Sequence, residues 1–212
     1  MKRWLVFAFV LLVPVPALGQ SKGDGEPDFM KQPVSASRRR GFLIGATAAP
    51  ALLYSRSTPT EYAKRNDAFA VTLGPQIVPT VSGFVGAAFA DELSVAVEVQ
   101  PSLVTASDVK VNGFAVAFRV EAWPLVSYGG LLRDLAIVAR FGLGNANLSD
   151  RATGDALGGG SYSLIGGELM WDAFRFRGLG AGPTLGAAYR SGDTHRQTDV
   201  TAGLRLVFYA GP

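Results

Sequence analysis

The chain has 212 residues, of which 48% are apolar and 17% charged, with 26 glycines, one histidine and no cysteine. Charged residues average ~25% of an ordinary domain, so this charge-poor chain, with a mean hydropathy of +0.22, is not a disordered or linker-type protein. The absence of cysteine excludes a disulfide scaffold, a thiolate metal site and a cysteine nucleophile. One histidine cannot build an imidazole cluster, and no metal or cofactor is expected.

Residues 1–19 read as an export signal. Lys2 and Arg3 form the positive start, Trp4 to Leu18 the apolar stretch, and Ala17-Leu18-Gly19 the small-residue cleavage site. The apolar stretch is broken by Pro14 and Pro16 and is short for a helix that must supply ~20 residues to cross a bilayer. Once it is removed, 18 Lys and Arg stand against 17 Asp and Glu; from Gly41 onward the balance is 13 against 14. A nucleic-acid partner would need a basic face on the folded domain, and none is expected. Residues 20–40 read as a flexible tail, rich in charge, glycine and proline. Its Asp24, Glu26 and Asp28 lack the full pattern of a calcium loop.

From Gly41 the texture changes to period-two alternation. Leu93, Val95, Val97 and Val99 oppose Ser94, Ala96, Glu98 and Gln100; Phe114, Val116, Phe118 and Val120 oppose Ala115, Ala117, Arg119 and Glu121. The pattern repeats at Leu135 to Gly142 and at Thr201 to Phe208, so the fold class expected is all-β. Eight strands are predicted at about 41–54, 77–89, 93–105, 113–126, 133–147, 161–175, 181–191 and 199–209. Short connections at one end and longer polar ones at 55–76, 106–112, 148–160 and 192–198 describe an antiparallel up-and-down barrel with two unlike rims.

Which face points inward distinguishes a soluble from a membrane barrel. The face opposite the aliphatic residues holds Gly, Ala, Ser and Thr with isolated charges, and Lys after Arg40 occurs only at positions 64 and 110. Small residues on a solvent face would weaken a strand, whereas inside a narrow barrel they make room for interdigitating side chains. The aliphatic face is therefore expected to meet lipid. On this phasing the lumen receives Glu98, Glu121, Glu168 and Asp172 together with Arg119, Arg140, Arg190 and Arg205, a balanced network that plugs the interior. The planar guanidinium fork can serve several carboxylates at once, and an unpaired charge there would cost several kcal/mol. Aromatic residues sort by height: Phe42, Phe89, Trp123, Tyr128, Trp171, Phe174, Phe176 and Phe208 near the short turns, with Tyr54, Tyr162 and Tyr189 near the long loops. Two such belts are expected at the two membrane interfaces.

These features resemble the small eight-stranded outer-membrane β-barrel proteins of Gram-negative bacteria. The resemblance covers residues 41–212 and rests on the export signal, the alternating Val95–Val99, Phe114–Val120 and Ala202–Phe208 segments and the tight turn within Gly86 to Ser94. It implies an exported protein in outer-membrane lipid, assembled by the outer-membrane insertion machinery, with both termini periplasmic and four surface loops. Members of that family end on an aromatic residue; here Phe208-Tyr209 is followed by Ala210-Gly211-Pro212.

No catalytic residue is expected. Some barrels of this kind hydrolyse lipid A acyl chains with a histidine and a serine two residues apart, but the residue two beyond His195 is Gln197, and His195 reads as a solvated loop residue. Gly178-Leu179-Gly180-Ala181-Gly182 lacks the helix that a phosphate loop needs directly after it. The favoured reading is a non-enzymatic barrel with structural or surface-interaction roles. The alternatives are a lipid A acyl hydrolase using His195 and a secreted, lipocalin-like barrel for an apolar ligand, which requires the aliphatic face to point inward.

Overall fold

A computed structural model describes residues 39–57, 71–106, 109–128 and 131–211; the expected export signal and the 20–38 part of the tail lie outside them. Nine strands follow in chain order: β1 (Gly41–Ser57), β2 (Val71–Ala90), β3 (Leu93–Ala106), β4 (Val109–Ala122), β5 (Leu135–Asp150), β6 (Ala156–Trp171), β7 (Phe174–Phe176), β8 (Leu179–Ser191) and β9 (His195–Ala210). All pairings are antiparallel, in the order β6-β5-β4-β3-β2-β1-β9-β8-β7, and a further β6–β8 pairing closes the sheet. The eight long strands thus form a barrel with no free edge. Strand β7 continues the wall where β6 has ended, pairing Phe174–Phe176 with Ala181–Leu179. At that junction a Cβ on Gly182 would lie 1.7 Å from the Trp171 carbonyl oxygen, so only glycine lets the two segments meet.

The register fixes the barrel's shape. Followed around the ring, Arg56 pairs with Arg196, then in turn come Ser191, Ser163, Leu143, Val116, Val99, Gly83 and finally Ala46. The circuit returns to β1 ten residues below its start, at Ala46 instead of Arg56. Eight strands with that stagger must tilt by roughly 35–45° from the barrel axis, so every row across the strands climbs the wall obliquely.

Several strands reach further than expected at the long-loop end. The predicted 77–89, 161–175 and 199–209 begin instead at Val71, Ala156 and His195, and β4 spans Val109–Ala122 in place of 113–126. The β9 extension carries polar residues on both faces, His195 and Gln197 inward and Arg196 and Thr198 outward, so hydropathy does not mark it while the backbone ladder does. Predicted loops contract accordingly: 148–160 to residues 151–155 and 192–198 to residues 192–194. The 161–175 segment is broken at 172–173, and β7 is a separate strand. In place of a plain turn, two short 3₁₀ segments, Val126–Tyr128 and Leu131–Asp134, join β4 to β5. Strands of 13 to 20 residues exceed the ~9–11 that cross a bilayer, so the wall rises beyond the apolar belt.

Large apolar side chains point outward around the ring, among them Ile44, Val85, Val97, Phe118, Phe141, Ile165, Leu185 and Leu206, all exposed. The residues between them point inward and are buried. Outward apolar positions around a charged interior are the arrangement of a barrel solvated by lipid, the opposite of a lipocalin-like cup. Val97→Arg is expected to destabilise the barrel by about 2–4 kcal/mol in lipid, read by urea unfolding in vesicles; an unchanged midpoint would mean that this face meets water.

Candidate functional site

Among the described residues, chemistry-bearing side chains converge in the interior, which is stacked in layers. At the short-turn end Arg39, two residues before the start of β1, is fully buried. Its Nη2 donates to Asp134 Oδ1 at 2.6 Å, its Nε lies 3.5 Å from Asp172 Oδ2, and its backbone N–H donates to Asp91 Oδ1 at 2.7 Å. The guanidinium stacks over the Trp123 ring, 4.3 Å from the centroid, an arrangement that adds to the ion pairs once desolvated. Arg175 flanks the same two carboxylates. Together these groups form the floor of the barrel.

The middle layer is built from β3, β4, β6 and β9. Arg119 Nε donates to Glu121 Oε1 at 2.7 Å, Nη1 to Glu98 Oε2 at 3.2 Å and to Glu168 Oε2 at 3.1 Å, and Nη2 to Glu168 Oε1 at 3.4 Å. Arg205 Nη2 donates to both Glu121 oxygens, at 2.9 and 2.8 Å, while Nη1 reaches Asp172 Oδ1 at 2.8 Å and so ties this layer to the floor. The Phe84 ring lies against both guanidinium groups, 4.9 Å from Arg119 and 5.2 Å from Arg205. A Cβ on Gly45 would stand 2.2 Å from the Phe84 ring, so glycine there lets the ring cross the lumen. Arg140 donates to Glu98 Oε1 at 3.3 Å and lines a cavity of about 20 Å³ with Ser82, Gln100 and Glu168. That is about the room of one water molecule.

Above this lies a packed apolar layer of Leu53, Val78, Val104, Val111, Leu148 and Leu164. Beside it, Arg190 donates to Asp199 and, at 2.9 Å, to Gln100 Oε1. Gln197 links Asp199 to His195, whose Nδ1 lies 2.6 Å from Ser57 Oγ.

The eight acids and bases placed in the lumen by strand phase, Glu98, Arg119, Glu121, Arg140, Glu168, Asp172, Arg190 and Arg205, are all buried and inward. Of these, all but Arg190 join the floor and middle layers; Arg190 stands apart with Asp199. Phe42, Phe89, Phe174, Phe176 and Phe208 are exposed at the short-turn end, and Tyr54 and Tyr189 at the other. Trp171 is half-buried; Tyr128 lies in the first 3₁₀ segment. Two aromatics depart from the expected girdle. Trp123 follows the end of β4 and turns under Arg39, with no exposure, and Tyr162 has the inward phase of β6 and packs in the apolar layer. His195 is likewise no solvated loop residue: it opens β9 and is buried. The Ser57–His195 pair faces the interior, away from the side on which a lipid ester would approach.

The sequence does not single out Arg39, because its position in a run of three arginines gives no phase. At the loop end, Asp150 Oδ1 accepts from the Ala152 and Thr153 N–H groups at 2.7 and 3.0 Å. These backbone donors, Thr153 foremost, hold its carboxyl below the usual carboxylate range and fix the β5–β6 turn.

No protein-family model matches the sequence, and no curated protein does. Among solved structures, the chain is similar to Ail, the attachment invasion locus protein of Yersinia pestis, at 10% identity and a TM-score of 0.47, covering 78% of this chain and 98% of that one. It is also similar to Neisserial surface protein A, at 12% identity and 0.46, covering 78% and 96%. A third similar structure is the outer membrane protein OprG of Pseudomonas aeruginosa, at 9% and 0.42, covering 81% and 98%.

Removing one member of a buried ion pair typically costs ~3–5 kcal/mol. Arg119→Met is expected to lose that much in urea unfolding, and Arg119→Lys to recover only part of it, because one ammonium cannot span three carboxylates. Full recovery by lysine would show that charge alone suffices. At the floor, trypsin should not cut after Arg39 in the folded chain, since the buried guanidinium cannot enter a protease pocket. Asp134→Ala with Asp172→Ala should open that bond, with the fragments identified by mass; ready cleavage in the unmodified protein would contradict the buried position.

Proposed function

We propose that this chain is an exported, non-enzymatic barrel of the Gram-negative outer membrane. Its signal peptide is cleaved, the insertion machinery assembles it, its interior ion pairs hold the wall together, and its outer rim does the interacting. One observation carries the reading: the exposed apolar belt encloses a lumen filled by Arg119, Arg205 and their carboxylates. Lipid outside and charge inside cannot be exchanged without exposing the belt to water and burying the charges against nothing.

With the lumen so filled, solutes have no path along the barrel axis. The interior charges serve cohesion, since each carboxylate of the middle layer has a guanidinium within hydrogen-bonding reach. The strand extensions beyond the belt carry the polar surface available to partners.

Two measurements test this together. Fractionated cells should yield the protein in the outer membrane, with faster gel migration before boiling than after it, and the purified protein in planar bilayers should give no steady conductance. Recovery from the soluble periplasm would overturn the membrane reading; steady single-channel currents would overturn the closed lumen.

A further inference from the structure

The chain's single histidine sits where one strand begins and another ends. His195 opens β9 and Ser57 closes β1, and their backbones pair three rungs above Tyr54 and Thr198. Tyr54 is exposed at the level of a membrane interface, so the rung of His195 stands outside the apolar belt. Both side chains of that rung are nonetheless buried and point inward.

The protons of this cluster are fixed one by one, starting from an ion pair. Asp199 is bound to Arg190 and, as a carboxylate, only accepts hydrogen bonds. Gln197 must therefore turn its amide nitrogen to Asp199, with Nε2 3.4 Å from Oδ2, and its oxygen to the ring. That Oε1 stands 3.3 Å from His195 Nε2, and an amide oxygen also only accepts, so Nε2 carries the ring proton. Nδ1 is then bare, and it accepts from the Ser57 hydroxyl at 2.6 Å. A neutral imidazole satisfies every one of these bonds.

A cation does not. With a second proton on Nδ1 the ring no longer accepts from Ser57, and the one carboxylate in this chain of bonds, Asp199, is held by Arg190 and separated from the ring by Gln197. The other elements bring little that would meet the charge: Ser55 and Ser57 from β1, the Tyr162 ring of β6 with its centroid 5.6 Å away, and Arg190 itself from β8. Arg56 and Arg196 hold the next rung with the outward phase, and Asp193 is exposed in the turn. Burial pushes the imidazole below its ordinary value, the Gln197 hydrogen bond opposes this, and Arg190 adds to it. The turn is fastened through the same place, since Gly192 N–H donates to the His195 carbonyl at 2.8 Å and Thr194 Oγ1 to the Gly159 carbonyl at 2.6 Å.

We propose that Ser57, His195 and Gln197 form an acid-released latch, which holds the loop-end rim of β1 and β9 in place at neutral pH and frees it when His195 takes a second proton. The freed rim exposes an ordinary imidazole, which binds its proton at a higher pH than the latched one. The latch is therefore complete above ~6.5 and is lost as pH falls through the lowered value of the folded ring. One proton taken up on opening favours the freed rim about tenfold per pH unit across that window. The latch acts on the rim proposed above as the interacting surface, and its test reads the latch alone.

That test uses the full mature chain in phosphatidylcholine nanodiscs without a histidine tag, so that labelled imidazole gives a single NMR signal. Amide hydrogen exchange, corrected for intrinsic rates, is followed by mass spectrometry from about pH 7.5 to about pH 5. Expected are the Nε2–H tautomer, a midpoint below ~6.5, and exchange at 195–199 and 55–57 that speeds about tenfold per pH unit below that value, while 117–121 stay protected. His195→Gln should remove the pH step. Gln197→Glu gives the ring an anion, and should raise the midpoint by about one unit or more and keep the rim protected in acid. An Nδ1–H tautomer, a midpoint at or above the ordinary value, or protection that ignores pH overturns the latch. So does a pH step that survives His195→Gln, since another group then titrates. The tautomer and the midpoint need no variant, so they decide the matter even where a substituted chain fails to fold.

Discussion

Arg119 holds three carboxylates from three different strands with one planar group, and much of the interior is arranged around that fork. Glu98, Glu121 and Glu168 come from β3, β4 and β6, so a single guanidinium joins distant parts of the ring across the lumen. Arg205 takes the second side of Glu121 and passes the connection down to Asp172. Arg39 completes the chain to Asp134 and Asp172. The consequence is a wall braced from within. Backbone pairing joins each strand only to those beside it, whereas the ion pairs tie strands that do not touch, such as β4 with β6 and β9.

Such bracing is costly unless every charge is matched, because desolvating an ion takes several kcal/mol that only close, hydrogen-bonded partners offset. The small residues of the inner face serve that matching. Gly45 leaves space for Phe84, and Phe84 in turn lies against both Arg119 and Arg205, shielding the pairs from the rest of the lumen. Where matching is looser, at Arg140 with its single 3.3 Å bond to Glu98, the structure keeps a small polar cavity. The inner face is thus shaped by electrostatics and the outer by hydropathy, and the alternating strand separates the two demands residue by residue.

That separation is why much of the barrel is legible in sequence. Arg119 and Glu121 lie two apart on β4 and must share a face, and Phe118 and Val120 must share the other. What alternation cannot supply is the stagger between strands. The ten-residue offset decides that Arg119 meets Glu168 of β6 and that Arg190 falls beside Asp199, away from the middle layer, and it arises from the summed registers of all eight pairings. The β9 extension is illegible for a related reason: at Gln197, Thr198 and Arg196 both faces are polar, so period two leaves no trace in hydropathy. Trp123 misleads because it follows the last residue of β4, where the chain has left the ladder and strand phase no longer applies. His195 reads as a loop residue for want of apolar neighbours, although its backbone pairs with Ser57.

The fully buried Arg39 changes how the boundary between barrel and preceding segment is understood. A solvated tail would meet the first strand at Gly41, but the charge that closes the floor comes from the residue before Arg40. Its carboxylate partners, Asp134 and Asp172, sit at the joints where β5 begins and β6 ends, which are also the places where the wall is least regular: a 3₁₀ segment precedes β5 and β7 replaces β6. A cation at that point neutralises acids that the interrupted ladder leaves side by side. Without it, Asp172 would keep Arg205 at 2.8 Å, but the approaches of Arg175 to Asp134 and Asp172, at 4.0 and 3.9 Å, are too long for strong hydrogen bonds. Arg39 is therefore part of the barrel's electrostatic closure.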